Sequence, residues 1–487
     1  MNSRRWLWTI LVLALVLRIL CWPSGLVGGD SIGYAIGGLG TWIAHPPGYF
    51  GYCFLGWLVN QAIANINDSL ILINVVGSLC GIWFAHGLAE SFGLTPRNAL
   101  LATAAYAFSI NLDYFSVIAG SYALEGMMAT WFALLCRKSI QDRSFRRVVL
   151  ATIVWAVSGA FRQTSFAFLA PLWLFTVWRS GTIRWLPLYL FVAMPIVYGW
   201  SFGNRHYLAG ASGNFESASA QSVWRFQALM TTSYDATRLG LDHNASDRAV
   251  STYHWPFVEG LYWIDGKFRM GWLPRYEDVA LSPPDLKHAA RLSGVQLGKY
   301  VFYLLFSVPS LLMLLMFVPL SRRWKSCFES GDLPFFAAWI LPVSSFFVVG
   351  HLGVFGYLQI FLSGICILVL VVLQGAFKPA RFSTHPASWS RWQVTHVSLT
   401  MAALAFFLMA RPYQSSDSRQ QLLDVLVFQY TATAIQNGYF VSRGNLSSAG
   451  DGEPYPWRKL RTDAEIVRWY ESQPQFSRSH HKPHTVR

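Results

Sequence analysis

A series of apolar runs, joined by short segments rich in Lys and Arg, constrains this chain more than any other feature. The runs fall near 6–22, 49–64, 69–89, 98–111, 121–136, 148–160, 164–178, 185–201, 299–320, 333–350, 357–374 and 393–410. About 20 apolar residues in a helix are enough to cross a bilayer. The expected fold is therefore all-α and polytopic, with the bilayer taking the place of a large water-excluded core. Composition agrees: 53% of the 487 residues are hydrophobic and only 13% are charged, against about 25% charged in a typical soluble domain. Mean hydropathy is +0.34.

The net charge of +14 would suit a nucleic-acid partner if it lay on one soluble domain. It does not. The cations sit in short loops between apolar runs, as cytoplasmic loops of membrane proteins do. The six cysteines, at 21, 53, 80, 136, 327 and 366, lie mostly in apolar segments, which argues against a disulfide framework. The N-terminal run carries Arg18 late and lacks a clean small-residue cleavage site, so it reads as a retained first span rather than a signal peptide.

The basic segments set the topology. Arg4 and Arg5, the loop CRKSIQDRSFRR at 136–147, and the segments 179–184, 322–325 and 378–391 should all be cytoplasmic. Between Arg5 and Arg137 the chain must then cross an even number of times, yet five apolar runs intervene. One run must stay out of the count. The run 49–64 follows a double proline, is short, and carries Asn60 and Gln61. It reads as a helix lying along the outer interface. About eleven spans remain, with the N-terminus cytoplasmic and the C-terminus outside. Three polar segments then face outward: a first loop 23–68, a large loop of about 202–298, and a tail 411–487 whose stretch TDAEIVRWYESQ reads as a helix. The chain divides into a transmembrane domain, 1–410, and a non-cytoplasmic tail or small domain, 411–487.

The first loop reads GGDSIGYAIGGLGTWIAHPPGYFGY. Asp30 follows two glycines directly after the first span, Tyr34 comes four residues later, and His45 opens the HPPG corner before the interfacial helix. A carboxylate at a membrane edge is costly unless paired or functional. Glycine permits close backbone approach, and the double proline fixes an extended corner. On residue chemistry alone, Asp30 as a helix cap and HPPG as a plain turn account for the loop equally well.

The order of features resembles the opening of the membrane-embedded GT-C glycosyltransferases, in particular the protein O-mannosyltransferase and aminoarabinose-transferase group. Those enzymes carry Asp in the first outer loop and a (H/K)PP corner before an interfacial helix. The resemblance continues over residues 6–180 through INDSLILINVVGSLCGIWFAHGLAESFG, through LTPRNALLATAAYAFSINLDYFSVIAGSYALEGMMATWFALL, in which Glu125 stands where the family more often has Asp, and through GAFRQTSFAFLAPLWL, whose break carries Arg162. The run GHLGVFGYLQIFLSGI at 350–365 is similar to a late span that often begins R-Y-L-L-P, with Gly356 in place of that arginine. Residues 202–298 and those beyond 411 carry no resemblance.

The resemblance implies a GT-C-like helical bundle and an inverting transfer of a sugar from a polyprenyl-phosphate carrier to an acceptor outside the cytoplasm. It implies that Asp30 serves as the general base that takes the acceptor hydroxyl proton. Arg162 and His45 would meet the donor phosphate, whose developing charge calls for cations. Tyr34, Glu125, His351, Tyr357 and Gln359 would line the outer mouth and contact substrate. Each also has a structural account: Arg162 as the ion-pair partner of Glu125 or Asp113, Glu125 as its mate, His45 as corner packing, and the rest as aromatic belt or packing. Asp30, His45 and Glu125 offer a divalent ion ligands of mixed hardness, but no spacing indicates one, and the resemblance implies no cofactor. The donor is then a polyprenyl-phosphate sugar, the acceptor a lipid, a glycan or a protein, and nucleic acid is not a partner. The implied setting is the bacterial inner membrane. Two rivals fit the same chain: a lipid or glycan transporter or flippase, and a non-catalytic subunit of a polysaccharide assembly system. No P-loop, H-E-x-x-H, C-x-x-C or G-x-S-x-G motif offers other chemistry.

Overall fold

A computed structural model of the chain describes residues 3–26, 31–40, 49–212, 297–298, 300–317, 332–349, 355–376, 389–410 and 460–472. Asp30, His45 and His351 lie outside the described residues, as do most of the 202–298 loop and of the tail. The described residues form helices and no strand.

In chain order the helices are α1 (Ser3–Leu20), α2 (Ser31–Gly38), α3 (Phe50–Ile63), α4 (Ile66–Ser91), α5 (Pro96–Ala107), α6 (Ile110–Ser116), α7 (Tyr122–Asp142), α8 (Phe145–Phe161), α9 (Gln163–Arg179) and α10 (Leu186–Ser212). Then come α11 (Leu311–Phe317), α12 (Asp332–Val349), α13 (Leu362–Ala376), α14 (Arg391–Ala410) and α15 (Asp463–Glu471). A 3-10 turn, Phe355–Ile360, precedes α13. The helix expected after HPPG is α3, and the helix expected in TDAEIVRWYESQ is α15.

Small polar residues open these helices. The Asn65 side chain accepts from the Asp68 N–H at the start of α4, Thr95 from Asn98 at α5, and Ser109 from Leu112 at α6. Such caps are worth about 1 kcal/mol each. Ser109 also changes the expected layout. The run 98–111 does not continue as one helix, because Ser109 starts a new one, α6, after a break at Phe108. The 12 residues of α5 rise only about 18 Å, short of the ~30 Å hydrocarbon core. The run 299–320 breaks likewise around Pro309, which supplies no N–H to a helix.

Two helices among the described residues are long and apolar enough to cross a bilayer by length and composition, Ile66–Ser91 and the 22-residue stretch Ile183–Asn204. The outer face of the second is apolar: Phe191, Met194, Tyr198 and Phe202 are exposed at 57 to 72%. Their spacing of three and four residues makes one stripe, which a water-soluble helix would turn inward.

Packing centres on α4 and α7, which run along each other, with α8 against α7, α9 and α10, α13 against α5, and α12 against α9. The α8–α9 hairpin is pinned by Trp155. Its ring stacks between Phe166 and Trp173 at centroid distances of 4.2 and 4.4 Å, and its Nε1 donates to the Phe166 carbonyl. Such pairs add about 0.5–1.5 kcal/mol beyond burial. A large core joins most helices, and a second, smaller cluster gathers Leu26, Tyr34, Tyr49, Tyr52, Cys53, Ile66, Leu70 and Ile466 around the first-loop residues.

Candidate functional site

The site grows from the break between α8 and α9. Arg162 ends one helix and begins the next in an extended conformation, φ −160° and ψ 119°. The short pair of runs meeting at GAFRQTS is therefore seen as expected. Extended backbone at Arg162 turns its side chain out of both helical stacks and into a box of aromatic rings. The guanidinium carbon lies 4.1 Å from the Tyr357 ring centroid, 4.6 Å from Tyr122 and 5.8 Å from Tyr49. Its Nη1 stands 3.6 Å from Glu125 Oε2, and its Nε donates to Thr164 Oγ1. Arg162 is 4% exposed and Glu125 1%. Ser165, one turn after Arg162, donates its hydroxyl to the other oxygen of Glu125.

The elements that bring these groups together are held by buried polar side chains. Asn74, in the middle of α4, is fully buried. Its Nδ2 lies 2.9 Å from the Tyr52 hydroxyl, 2.7 Å from the Ile118 carbonyl and 2.8 Å from that of Gly120. This fixes α3 and the irregular segment leading into Ser121 and α7, and so sets where Tyr122 and Glu125 start. Asn111 of α6 donates to the Phe355 carbonyl and accepts from the Gln359 amide, which pins the 3-10 turn bearing Tyr357. Two glycines let that turn come close. A Cβ on Gly126 would fall 2.9 Å from Gln359 Oε1 and 3.0 Å from its carbonyl oxygen, and one on Gly356 would fall 2.6 Å from the Tyr122 ring. Gly356, where the resembled family carries arginine, thus makes room for Tyr122.

Four of the expected site residues converge. Glu125 and Arg162 pair directly, Tyr357 covers the guanidinium, and Tyr34 on α2 meets Tyr49 edge to face at 4.9 Å and Tyr52 at 5.3 Å. Gln359 stands behind α7 with its amide bonded to Asn111. Of the two acidic partners open to Arg162, Glu125 is the one it meets. Asp113 faces Arg18 at 3.5 Å instead. Asp30 is the residue before α2, His45 precedes Tyr49 by four positions, and His351 precedes the 3-10 turn by four.

Tyr49, Tyr122 and Ser165 were not singled out from sequence. Tyr122 and Glu125 are three apart on one helix, and so are Arg162 and Ser165 across the start of α9. Residues three apart share a helix face, so the spacing carried the signal. Tyr49 had no such signal beyond following HPPG. Among the described residues no three His, Cys, Asp or Glu side chains converge as a metal set; Asp30 and His45 lie outside those residues.

A guanidinium clad in phenol rings keeps its charge and its planar set of donors. Glu125 partly neutralises it. Among the described residues, Arg162 Nη1 and Glu125 Oε2 make no hydrogen bond despite full burial. Buried unmade hydrogen bonds cost about 1–3 kcal/mol each, so the pair has unused capacity for an anion and a donor.

No protein-family model matches the chain, and no curated protein matches it. Among solved structures it is similar to ArnT from Cupriavidus metallidurans bound to undecaprenyl phosphate, at 14% identity and a TM-score of 0.43 over 95% of this chain and 77% of that one. It is similar to the apo form of the same protein at 13% identity and a TM-score of 0.44. It is also similar to the archaeal oligosaccharyltransferase AglB from Archaeoglobus fulgidus, in complex with an inhibitory peptide and a dolichol-phosphate, at 12% identity and a TM-score of 0.41. That match covers 88% of this chain and 60% of AglB. ArnT, an aminoarabinose transferase, and AglB are both members of the GT-C fold.

Proposed function

We propose that the chain is a multi-pass membrane glycosyltransferase of GT-C type, which moves a sugar from a polyprenyl-phosphate carrier to an acceptor on the non-cytoplasmic side. The observation that carries this reading is the convergence of Arg162, Glu125, Tyr357 and, through Tyr49, the first-loop residue Tyr34. The positive-inside topology expected from the sequence, drawn without reference to any of these contacts, would have all four on the outer side. The outward apolar stripe of α10 supports the membrane setting.

In this reading Arg162, with His45, receives the donor phosphate. As the glycosidic C–O bond to phosphate breaks, charge grows on the leaving oxygens, and a pre-placed guanidinium stabilises it without reorganisation. The tyrosine faces hold the guanidinium while its N–H edge turns to the anion. Asp30, next to α2, takes the proton of the acceptor hydroxyl as that oxygen attacks the anomeric carbon. Glu125 orients Arg162 through the pair, and Ser165 fixes Glu125. Tyr34 and His351 contact substrate, and Gln359 sets the wall from behind α7.

The test is transfer by the purified protein from polyprenyl-phosphate sugars, scored by mass spectrometry against glycolipids and glycoproteins from a strain lacking the gene. Asp30→Asn should lower transfer by about 10²–10⁴-fold. Unchanged transfer in the folded variant removes Asp30 as the base.

A further inference from the structure

The tail helix α15 lies some 400 residues from the first loop in sequence, yet it is joined to it by specific bonds. Asp463 Oδ1 accepts the N–H of Ile66 at 2.9 Å, in the first turn of α4, and its Oδ2 accepts from Asn60 Nδ2 at 3.0 Å, in the last turn of α3. A carboxylate at a helix N-terminus meets both an unused N–H and the positive end of the helix dipole. Asn65, the cap of α4, also donates to the Arg461 carbonyl at 3.4 Å. One turn beyond Asp463, Ile466 is 2% exposed and belongs to the cluster of Tyr34, Tyr49, Tyr52 and Cys53. Leu460 and Trp469 pack against the same cluster. Asp463, Ile466 and Trp469 are spaced by three and share one face of α15, while Leu460 and the Arg461 carbonyl make their contacts from just before the helix. The helix packs against α2 as well.

The first turn of the helix is organised locally. Thr462 Oγ1 accepts from the Glu465 N–H, and Glu465 Oε2 accepts from the N–H groups of Thr462 and Arg461. This reciprocal pair is a capping box. It starts α15 without tertiary help and leaves the stripe free to make the long-range contacts.

We infer that α15 is a strap that holds α2 and the α3–α4 elbow in place, so that Asp463 and Ile466 are positioning residues for the first-loop side of the site. They touch no reacting atom. They set where Tyr34 sits beside Tyr49. That α2 carries reactive groups rests on the function proposed above; that α15 holds α2 does not.

Cys53 is a built-in reporter, because it lies in the same cluster and is 2% exposed. Burial pushes its thiol up to about 12, so in the strapped form it is both shielded and protonated, and the thiolate is the reactive species. The experiment uses full-length protein in detergent with the other five cysteines replaced by Ala. Maleimide labelling of Cys53 should be slow in this parent, at least about ten-fold faster in Ile466→Asp, because a carboxylate there opens the apolar cluster, and unchanged in Ile466→Leu. Equal labelling in Ile466→Asp and the parent overturns the strap. Asn60→Cys with Asp463→Cys gives a second reading, and a short bifunctional thiol reagent should bridge them within one chain. Failure to bridge in folded protein overturns the docking. In transfer assays Ile466→Asp should lower kcat about ten-fold more than it changes donor KM, at the parent's unfolding temperature, with Ile466→Leu restoring kcat. Faster Cys53 labelling with parental kcat overturns the positioning role. A parent inactive with every donor sinks the glycosyltransferase reading, while the labelling still decides the strap.

Discussion

Two buried arginines, Arg18 and Arg162, each face a buried carboxylate, and their surroundings differ. Arg18 lies on α1 in the large core, 3.5 Å from Asp113 Oδ1. Its Nε donates to Ser78 Oγ at 2.8 Å, Nη1 to the Ala14 carbonyl at 2.9 Å and Nη2 to that of Ala107 at 3.4 Å. All three nitrogens are engaged, each on a different helix or segment, and the side chain ties α1 to α4 and α5. Arg162 sits at a helix break and has aromatic faces where Arg18 has carbonyls. A ring face attracts the cation but accepts no N–H in the plane of the guanidinium. The first arrangement engages every nitrogen of its arginine with oxygens of three helices, although among the described residues neither Asp113 oxygen makes a hydrogen bond. The second holds one in place with donors to spare.

The sharpest way to break this comparison is to replace each pair by apolar residues. A well-packed apolar replacement of a buried pair is often neutral for stability. Arg162→Met with Glu125→Leu should therefore fold, and transfer should fall on the order of 10²–10³-fold, the usual cost of losing one preorganised charge stabiliser. Arg18→Met with Asp113→Leu should fold and keep transfer within about three-fold, well under the ~1.4 kcal/mol that a ten-fold change represents. If the second pair matters to transfer as much as the first, the contrast is wrong.

Single truncation separates them by stability. Arg18→Ala leaves Asp113 buried without its partner, and should lower unfolding stability in detergent by about 3–5 kcal/mol, seen as a lower melting temperature that Asp113→Leu restores. The aromatic box can then be tested one ring at a time. Tyr357→Leu should raise donor KM roughly ten-fold, since a desolvated cation–π contact is worth up to about 2 kcal/mol. Tyr357→Phe, which keeps the ring, should change it less than about three-fold. Gly126→Ala should move KM in the same direction as Tyr357→Leu, because a Cβ there strikes Gln359 and displaces the turn that carries Tyr357.

The smallest effect concerns pH. The N–H groups of Arg461 and Thr462 hold Glu465 below the usual carboxylate range. A lowered folded value means that its contribution is complete at neutral pH and is lost only as pH falls through that lowered value. The ratio of Cys53 labelling between Glu465→Gln and the parent should thus be constant between about pH 6 and 8 and fall toward one only in acid. A ratio that changes near neutrality would assign the strap's first turn to some other group.

Much of this was legible in the residues. Runs of apolar residues mark helices wherever they fall, so α3, α4, α7, α8, α9, α10, α12 and α14 lie where the runs lie. The break at Arg162 was visible because Gly-Ala-Phe-Arg-Gln-Thr-Ser interrupts two runs, and TDAEIVRWYESQ contains its own capping box. The run 98–111 misled, since a serine inside an apolar run reads as a tolerated polar residue until its side chain is seen to cap α6. The run 299–320 misled in the same way at Pro309.

Local chemistry, then, determined by itself that the chain is helical and where most helices begin, because propensity and capping depend on neighbours within a turn or two; Asp30, Glu125 and Arg162 stood out only through the family resemblance. Which carboxylate meets which arginine, that three tyrosines from the N-cap of α3, from α7 and from the turn before α13 close around Arg162, and that a helix near the C-terminus seats on the first loop were decided only by tertiary structure. Those contacts join residues from about 40 to over 400 positions apart, and no periodicity along the chain encodes a pairing across that distance.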